Sequence, residues 1–162
     1  MAESKISSSG FSDENPMVFL PKKNGQAPME QNMVQYCVDQ TFAEQKHRIY
    51  KKSIKSDGQG KYLELSFISP EVGRRYKNLL STLASQIQWR IYIADSVNQK
   101  EVFGIVPMLC CKYGISLRQN PSYLPQKRAI QLRADKIPSK EVCQNLAAEI
   151  LELTGLCCTI AE

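Results

Sequence analysis

The sequence predicts an α+β fold: a duplicated αββαβ unit with helices on one face of a mixed sheet. Three observations lead there. The segment Lys61 to Ala94 lies without a gap over Arg128 to Ala161 at an offset of 67 residues, so that Leu65 meets Leu132, Asn78 meets Asn145, Leu79 meets Leu146 and Ile93 meets Ile160. The shared positions are mainly apolar ones that hold their places through a strand, a helix and another strand, as expected of one architecture used twice. Stretches of period-two alternation also stand beside apolar stripes of helical period. From Trp89 onward the order reads β-α-β-β-α-β, which is the ferredoxin-like order in the C-terminal part, preceded by an extra αββα segment.

Residues 1–28 carry four serines, two glycines and three prolines between Ser7 and Pro28 and show no lasting periodicity, so they read as a disordered tail. Its apolar island, Met17 to Leu20, is either a docking motif or a weakly packed patch of linker. Residues 29–162 read as a single domain of two repeats, 29–95 and 98–162. The first helix runs from about Glu30 to Gln45, because Met33, Val34, Cys37, Val38, Thr41 and Phe42 recur on one face. His47 to Lys55 and Tyr62 to Ile68 make a hairpin around Ser56-Asp57-Gly58-Gln59-Gly60, the second strand alternating Leu63, Leu65 and Phe67 against Tyr62, Glu64 and Ser66. Ser69 caps the next helix and Pro70 opens it. Its stripe is Val72, Tyr76, Leu79, Leu80, Leu83 and Ile87, with Leu79 and Leu146 taken as equivalent core positions. In the strand Trp89 to Ala94, Trp89, Ile91 and Ile93 share one face while Arg90 and Tyr92 share the other.

The second unit repeats this order. Asn98 to Tyr113 is helical with Val102, Phe103, Val106 and Leu109 inward, Pro107 kinks it or limits its regular part, and Gly114 stops it. Ile115 to Gln119 is a strand, Asn120 to Pro125 a long loop, and Arg128 to Ala134 the returning strand with Ile130 and Leu132 inward. The helix Ser139 to Leu153 buries Val142, Leu146, Ile150 and Leu153, ends at Gly155, and leads to a closing strand, Leu156 to Ile160.

At 162 residues, 43% hydrophobic and 23% charged, the composition is that of an ordinary globular protein. The net charge of +5 is unevenly spread: residues 46–133 hold 16 Lys or Arg against 5 Asp or Glu, and both flanks are acidic. Such asymmetry favours an anionic partner, nucleic acid ahead of a membrane surface, because no helix sets a broad apolar face against a Lys-rich one. No apolar stretch approaches a membrane span or a signal peptide, which gives the expectation of a cytoplasmic protein. The cysteines point the same way. Cys110-Cys111 and Cys157-Cys158 are adjacent pairs whose side chains diverge, no C-x-x-C spacing exists, and His47 is the one histidine, so no metal site is expected. Cys37, Cys110 and Cys143 sit at or beside apolar helix positions, where a thiol acts as a small hydrophobe.

If helices cover one face, alternation assigns the other to Arg48, Tyr50, Lys52, Tyr62, Glu64, Ser66, Arg90, Tyr92, Ser116, Arg118, Gln131, Arg133 and Thr159. Cations there suit phosphates and tyrosine rings suit unstacked bases; a polar face rich in strand-favouring tyrosine is the plainer explanation. A second cluster comprises Tyr123, Gln126, Lys127 and Arg128 in or beside the long loop, with Arg74 and Arg75 early in a helix. Signature motifs are missing. A KH domain needs a GXXG loop between helices, and Gly58-Gln59-Gly60 lies in a hairpin; the strand Arg128 to Ala134 lacks the aromatic signature of an RNA-recognition motif. There is no G-x-x-x-x-G-K-[ST], G-x-G-x-x-G or H-E-x-x-H, and His47 has no carboxylate nearby in sequence, which weighs against an enzyme and gives no cofactor. The expectation is a noncatalytic nucleic-acid-binding module preferring RNA or single strands. The alternatives are an assembly module that meets an acidic protein surface and a small-molecule regulatory domain.

Overall fold

The structure, a computed structural model, describes residues 17–162; the first 16 residues of the expected tail lie outside the described residues. The described residues form a mixed α+β structure with five α-helices and two mixed sheets. The chain divides into two compact units, one ending at Ser96 and one spanning Val97–Glu162.

The first unit contains β1 (Val18–Phe19), α1 (Gln31–Phe42), β2 (Lys51–Asp57), β3 (Gly60–Ser66), α2 (Pro70–Arg74), α3 (Lys77–Ile87) and β4 (Arg90–Ile93). Its strand order is β1-β4-β3-β2, with β3 and β4 parallel and the outer pairings antiparallel. The hairpin closes tightly because Asp57 accepts the Gln59 N–H at 2.9 Å and Gly60 takes φ +111°, a value that favours glycine. Leu63 and Leu65 of β3 pair with Ile91 and Ile93 of β4, and all four are buried. Against this face lie Val34, Val38 and Phe42 of α1 and Leu80, Leu83, Ala84 and Ile87 of α3. Burial of this set supplies the main stabilisation of the unit.

Two expectations for this unit are corrected. Residues 17–28 belong to the fold rather than to a disordered tail: the Met17 carbonyl accepts the Ile93 N–H at 2.9 Å and Phe19 is buried. Farther on, the Lys22 N–H donates to Ser85 Oγ at 2.9 Å, Gln88 Nε2 donates to the Lys22 carbonyl at 2.7 Å, and the Trp89 indole donates to the Met29 carbonyl at 2.8 Å. A two-residue strand is too short to leave a periodicity, so the composition of the segment concealed it. The second correction concerns the helix after Ser69. Ser69 Oγ accepts the Val72 N–H at 3.3 Å, as a cap should, but the helix stops at Arg74 and a new one starts at Lys77. Between them the Arg75 and Tyr76 N–H groups bond back to the Val72 and Gly73 carbonyls, each at 3.1 Å. The break resets the helical phase, so Leu80 enters the core and Leu79 is left half-buried.

The second unit contains α4 (Gln99–Lys112), β5 (Ser122–Leu124), a 3₁₀ turn (Pro125–Lys127), β6 (Ala129–Arg133), α5 (Lys140–Thr154) and β7 (Cys157–Ala161). Strand order is β5-β6-β7, β5 antiparallel and β7 parallel to β6. Pro107 stands inside α4 on its exposed side without ending it. Ile130, Leu132, Leu146 and Ile150 are the buried centre, and Gly155 ends α5 in the left-handed region at φ 74°.

The hairpin of this unit also differs from expectation. Of Ile115 to Gln119 only Leu117 bridges the sheet, to Ala134, whereas Ser122–Leu124 inside the expected loop is a strand paired with Ala129–Gln131. Pro121 cannot donate to a ladder, and Pro125 opens a turn that closes with Arg128 at φ 50°, so the tight connection falls after the prolines. The expected ferredoxin-like order assigns β4 to the C-terminal part, whereas β4 is bonded between β1 and β3 in the sheet of the first unit. The parallel pairs nonetheless share one register. Tyr62–Arg90, Leu63–Ile91, Glu64–Tyr92 and Leu65–Ile93 recur 67 residues later as Ala129–Cys157, Ile130–Cys158, Gln131–Thr159 and Leu132–Ile160.

Candidate functional site

On the first sheet the face opposite Leu63 and Leu65 carries Val18, Lys51, Ser53, Lys55, Tyr62, Glu64, Arg90 and Tyr92. Arg90 organises it. Its Nη1 and Nη2 donate to the two Asp57 carboxylate oxygens at 2.8 and 2.7 Å, Nη2 also reaches the Gly60 carbonyl at 2.9 Å, and Nη1 reaches the Tyr92 hydroxyl at 3.2 Å. The guanidinium lies 5.1 and 5.8 Å from the Tyr62 and Tyr92 ring centroids, and the two rings are 4.5 Å apart. Its side chain is only 11% exposed, so Arg90 clamps the hairpin tip to β4 and is not a spare phosphate contact. Lys55 pairs with Glu64 at 2.9 Å, and the bond and charge of that carboxylate raise the Lys55 pKa.

The clamp has a pH signature. The Arg90 hydrogen bonds, then the Gln59 N–H, lower the Asp57 carboxyl from 3.8 to about 2. A depressed carboxyl stabilises the folded state above its ordinary value, and that contribution disappears as the pH falls through about 2. An NMR titration should therefore place the Asp57 midpoint near 2, and Arg90→Gln should return it toward 3.8. A wild-type midpoint at the ordinary value would dissolve the clamp.

Lys52 is corrected. It pairs with Leu65, on the helix-covered side, and forms an ion pair with Asp39 of α1. The strand KKSIKSD has a single apolar residue and defines no face, so the turn sets the register, and a slip of one residue exchanges the faces. Arg48 and Tyr50 precede β2: the Arg48 guanidinium lies 4.6 Å above the Tyr50 ring, and the Tyr50 N–H donates to the Ser66 carbonyl at 2.8 Å.

The α2–α3 turn is the feature that sequence reasoning missed. Gly73 and Arg74 are the last two residues of α2, and Arg75 and Tyr76 join it to α3. A Cβ on Gly73 would stand 2.8 Å from Phe67 Cδ1 and 3.0 Å from Ile93 Cγ2, so only glycine lets the turn lie this close to the sheet. Tyr76 anchors the other end, its ring stacked on Phe67 at 5.9 Å and edge-on to Phe42 at 5.4 Å, its hydroxyl 2.8 Å from His47 Nδ1. Arg74 Nε contacts Met17 Sδ at 3.3 Å, and Arg75 and Lys77 are exposed. The glycine and the paired arginines were the available signal; treating Ser69 onward as one helix obscured it.

Of the expected second cluster, Arg74 and Arg75 belong to the first unit and Tyr123, Gln126, Lys127 and Arg128 to the second. Tyr123 is also not an exposed loop residue: it pairs with Ile130 on the buried side of β5 and is half-buried. Lys127 is exposed in the 3₁₀ turn. Ser116, Arg118, Gln131, Arg133 and Thr159 do share the polar face of this unit.

All six cysteines are free thiols. Burial raises the Cys110 thiol and, with Cys110, Cys143 and Cys157 close by, pushes Cys158 up to about 12. Thiol labelling at pH 8 should modify the exposed Cys111 and Cys157 rapidly, the half-buried Cys158 slowly and the buried Cys110 only on unfolding; rapid labelling of all four would contradict this packing. Among the described residues no group of His, Cys, Asp and Glu converges as metal ligands, and no helix is long and apolar enough to cross a membrane. No family model matches the chain, and no curated protein matches its sequence.

Proposed function

We propose that the protein is a noncatalytic nucleic-acid-binding module, with RNA or single strands preferred, that grips the backbone at the α2–α3 turn. The observation that carries this reading is the segment Gly73-Arg74-Arg75-Tyr76, packed on the sheet through Gly73 and Tyr76 and carrying two arginines in succession. It lies in the stretch 46–133, where Lys and Arg outnumber Asp and Glu by 16 to 5. Phosphate contacts supply most of the affinity of sequence-tolerant binding, and arginine forks suit them. A KH domain clamps the backbone with a GXXG loop between helices; here Gly73 keeps the first position and Tyr76 fills the fourth. Tyr62 and Tyr92, braced by Arg90, supply a surface for base stacking.

The common register of the parallel strand pairs supports two copies of one αββαβ unit. In the second copy the turn positions are Lys140-Glu141-Val142-Cys143, inside the unbroken α5, so the grip belongs to the first copy alone. The six free thiols suit a cytoplasmic location. Fluorescence anisotropy with a labelled single-stranded RNA tests the reading: binding that Arg74→Glu with Arg75→Glu weakens is the expected result. No affinity for RNA or DNA, together with capture of an acidic protein by the same face, would replace it with the assembly module.

A further inference from the structure

The second unit brings two arginines together with no acid between them. Leu117 bridges Ala134 in the antiparallel sense, the Arg118 N–H donates to the Arg133 carbonyl at 2.7 Å, and the Asp135 N–H donates to the Ser116 carbonyl at 2.9 Å. Arg118 and Arg133 therefore stand opposite one another, on the side away from the buried Ile115, Ile130 and Leu132. Opposed side chains in such a pair have Cβ atoms about 5 Å apart, and like charges there repel. Neither arginine forms an ion pair with a side-chain carboxylate of the described residues. Asp135, two residues on, accepts a hydrogen bond from the Ser116 hydroxyl at 2.9 Å, and Arg133 Nη1 donates to the Glu162 carbonyl at 3.2 Å. Beside Arg133 on β7 is the small Ala161, and Gln131 is flanked by Ser122 and Thr159, so this face offers donors and room.

We propose that Arg118 and Arg133 form a binding site for a dianionic phosphate monoester or inorganic phosphate. Two guanidinium forks present two positive charges and paired N–H donors, which a dianionic phosphate matches in charge and geometry. A phosphodiester carries one negative charge and leaves half of the repulsion in place. The site is distinct from the α2–α3 turn and does not rest on nucleic-acid binding there.

The test is thermal unfolding of the full chain at pH 7.5 in inorganic phosphate against sodium chloride of equal ionic strength. Phosphate should raise the wild-type Tm by several degrees beyond chloride. Arg118→Gln, which relieves the repulsion, should unfold at a higher temperature than wild type in dilute chloride and gain nothing from phosphate; Arg133→Gln should also lose the phosphate response. At pH 5.5, where inorganic phosphate is almost entirely the monoanion, the wild-type response should shrink while a response to sulfate, which stays dianionic, persists. Uridine 5′-monophosphate separates the sources: affinity equal to that of inorganic phosphate assigns recognition to the phosphate group alone, tighter affinity to a nucleotide, and both require Arg118. Phosphate no better than chloride, dimethyl phosphate as effective as phosphate, or an undiminished response in both variants would overturn the proposal, whatever the behaviour of Arg74→Glu with Arg75→Glu toward RNA.

Discussion

Leu80→Ala will destabilise the first unit by about 2 to 5 kcal/mol, while Leu79→Ala, one residue earlier, will cost less than about 1 kcal/mol. Leu80 is fully buried beneath α3, and its removal leaves a cavity that the flanking Leu83, Ala84 and Ile87 are too well packed to fill. Leu79 is half-buried and retains solvent on one side, so truncation removes less apolar area and opens no closed void. Leu146→Ala in the second unit belongs with Leu80→Ala, at about 2 to 5 kcal/mol, since Leu146 is fully buried on α5. Urea unfolding of the three variants checks the order. Equal losses for Leu79 and Leu80 would mean that α2 and α3 form one continuous helix and that the turn between them does not exist.

Arg74→Glu combined with Arg75→Glu will weaken RNA binding about 100-fold, as expected for two lost charge-assisted contacts of about 1.4 kcal/mol each. Gly73 and Tyr76, which pack the turn against the sheet, are unchanged in this variant, so it should still fold, as its circular dichroism will show. Tyr92→Phe is the comparison variant. It removes the hydroxyl that Arg90 contacts but leaves the ring, so stacking and affinity should both survive.

The sequence shows parts of this structure clearly and hides others for identifiable reasons. Strands such as LEL and IQL, with apolar residues on alternate positions, fixed their own faces, and Leu63, Leu65, Ile130 and Leu132 are buried as their alternation requires. Lys52 went to the wrong face because its strand has too few apolar residues to specify a register, leaving the decision to a two-residue turn. The α2–α3 break stands beside a tertiary contact, the close approach of Gly73 to Phe67 and Ile93, which helical periodicity cannot register. Charge counting located the basic middle of the chain but not its pairing: Asp57 and Glu64 are far from Arg90 and adjacent to neutral positions in sequence, yet they take up Arg90 and Lys55 in space. The opposed Arg118 and Arg133 were legible as alternating residues, whereas their juxtaposition depends on a single bridge at Leu117.

The salt dependence of binding to a single-stranded RNA tests the central claim most directly. If the α2–α3 turn grips phosphates, the logarithm of the association constant should fall linearly with the logarithm of salt concentration, and Arg74→Glu with Arg75→Glu should flatten the slope by about 1.4, or about 0.7 per lost phosphate contact. A slope that is the same in wild type and variant, or wild-type binding indifferent to salt, would contradict the account.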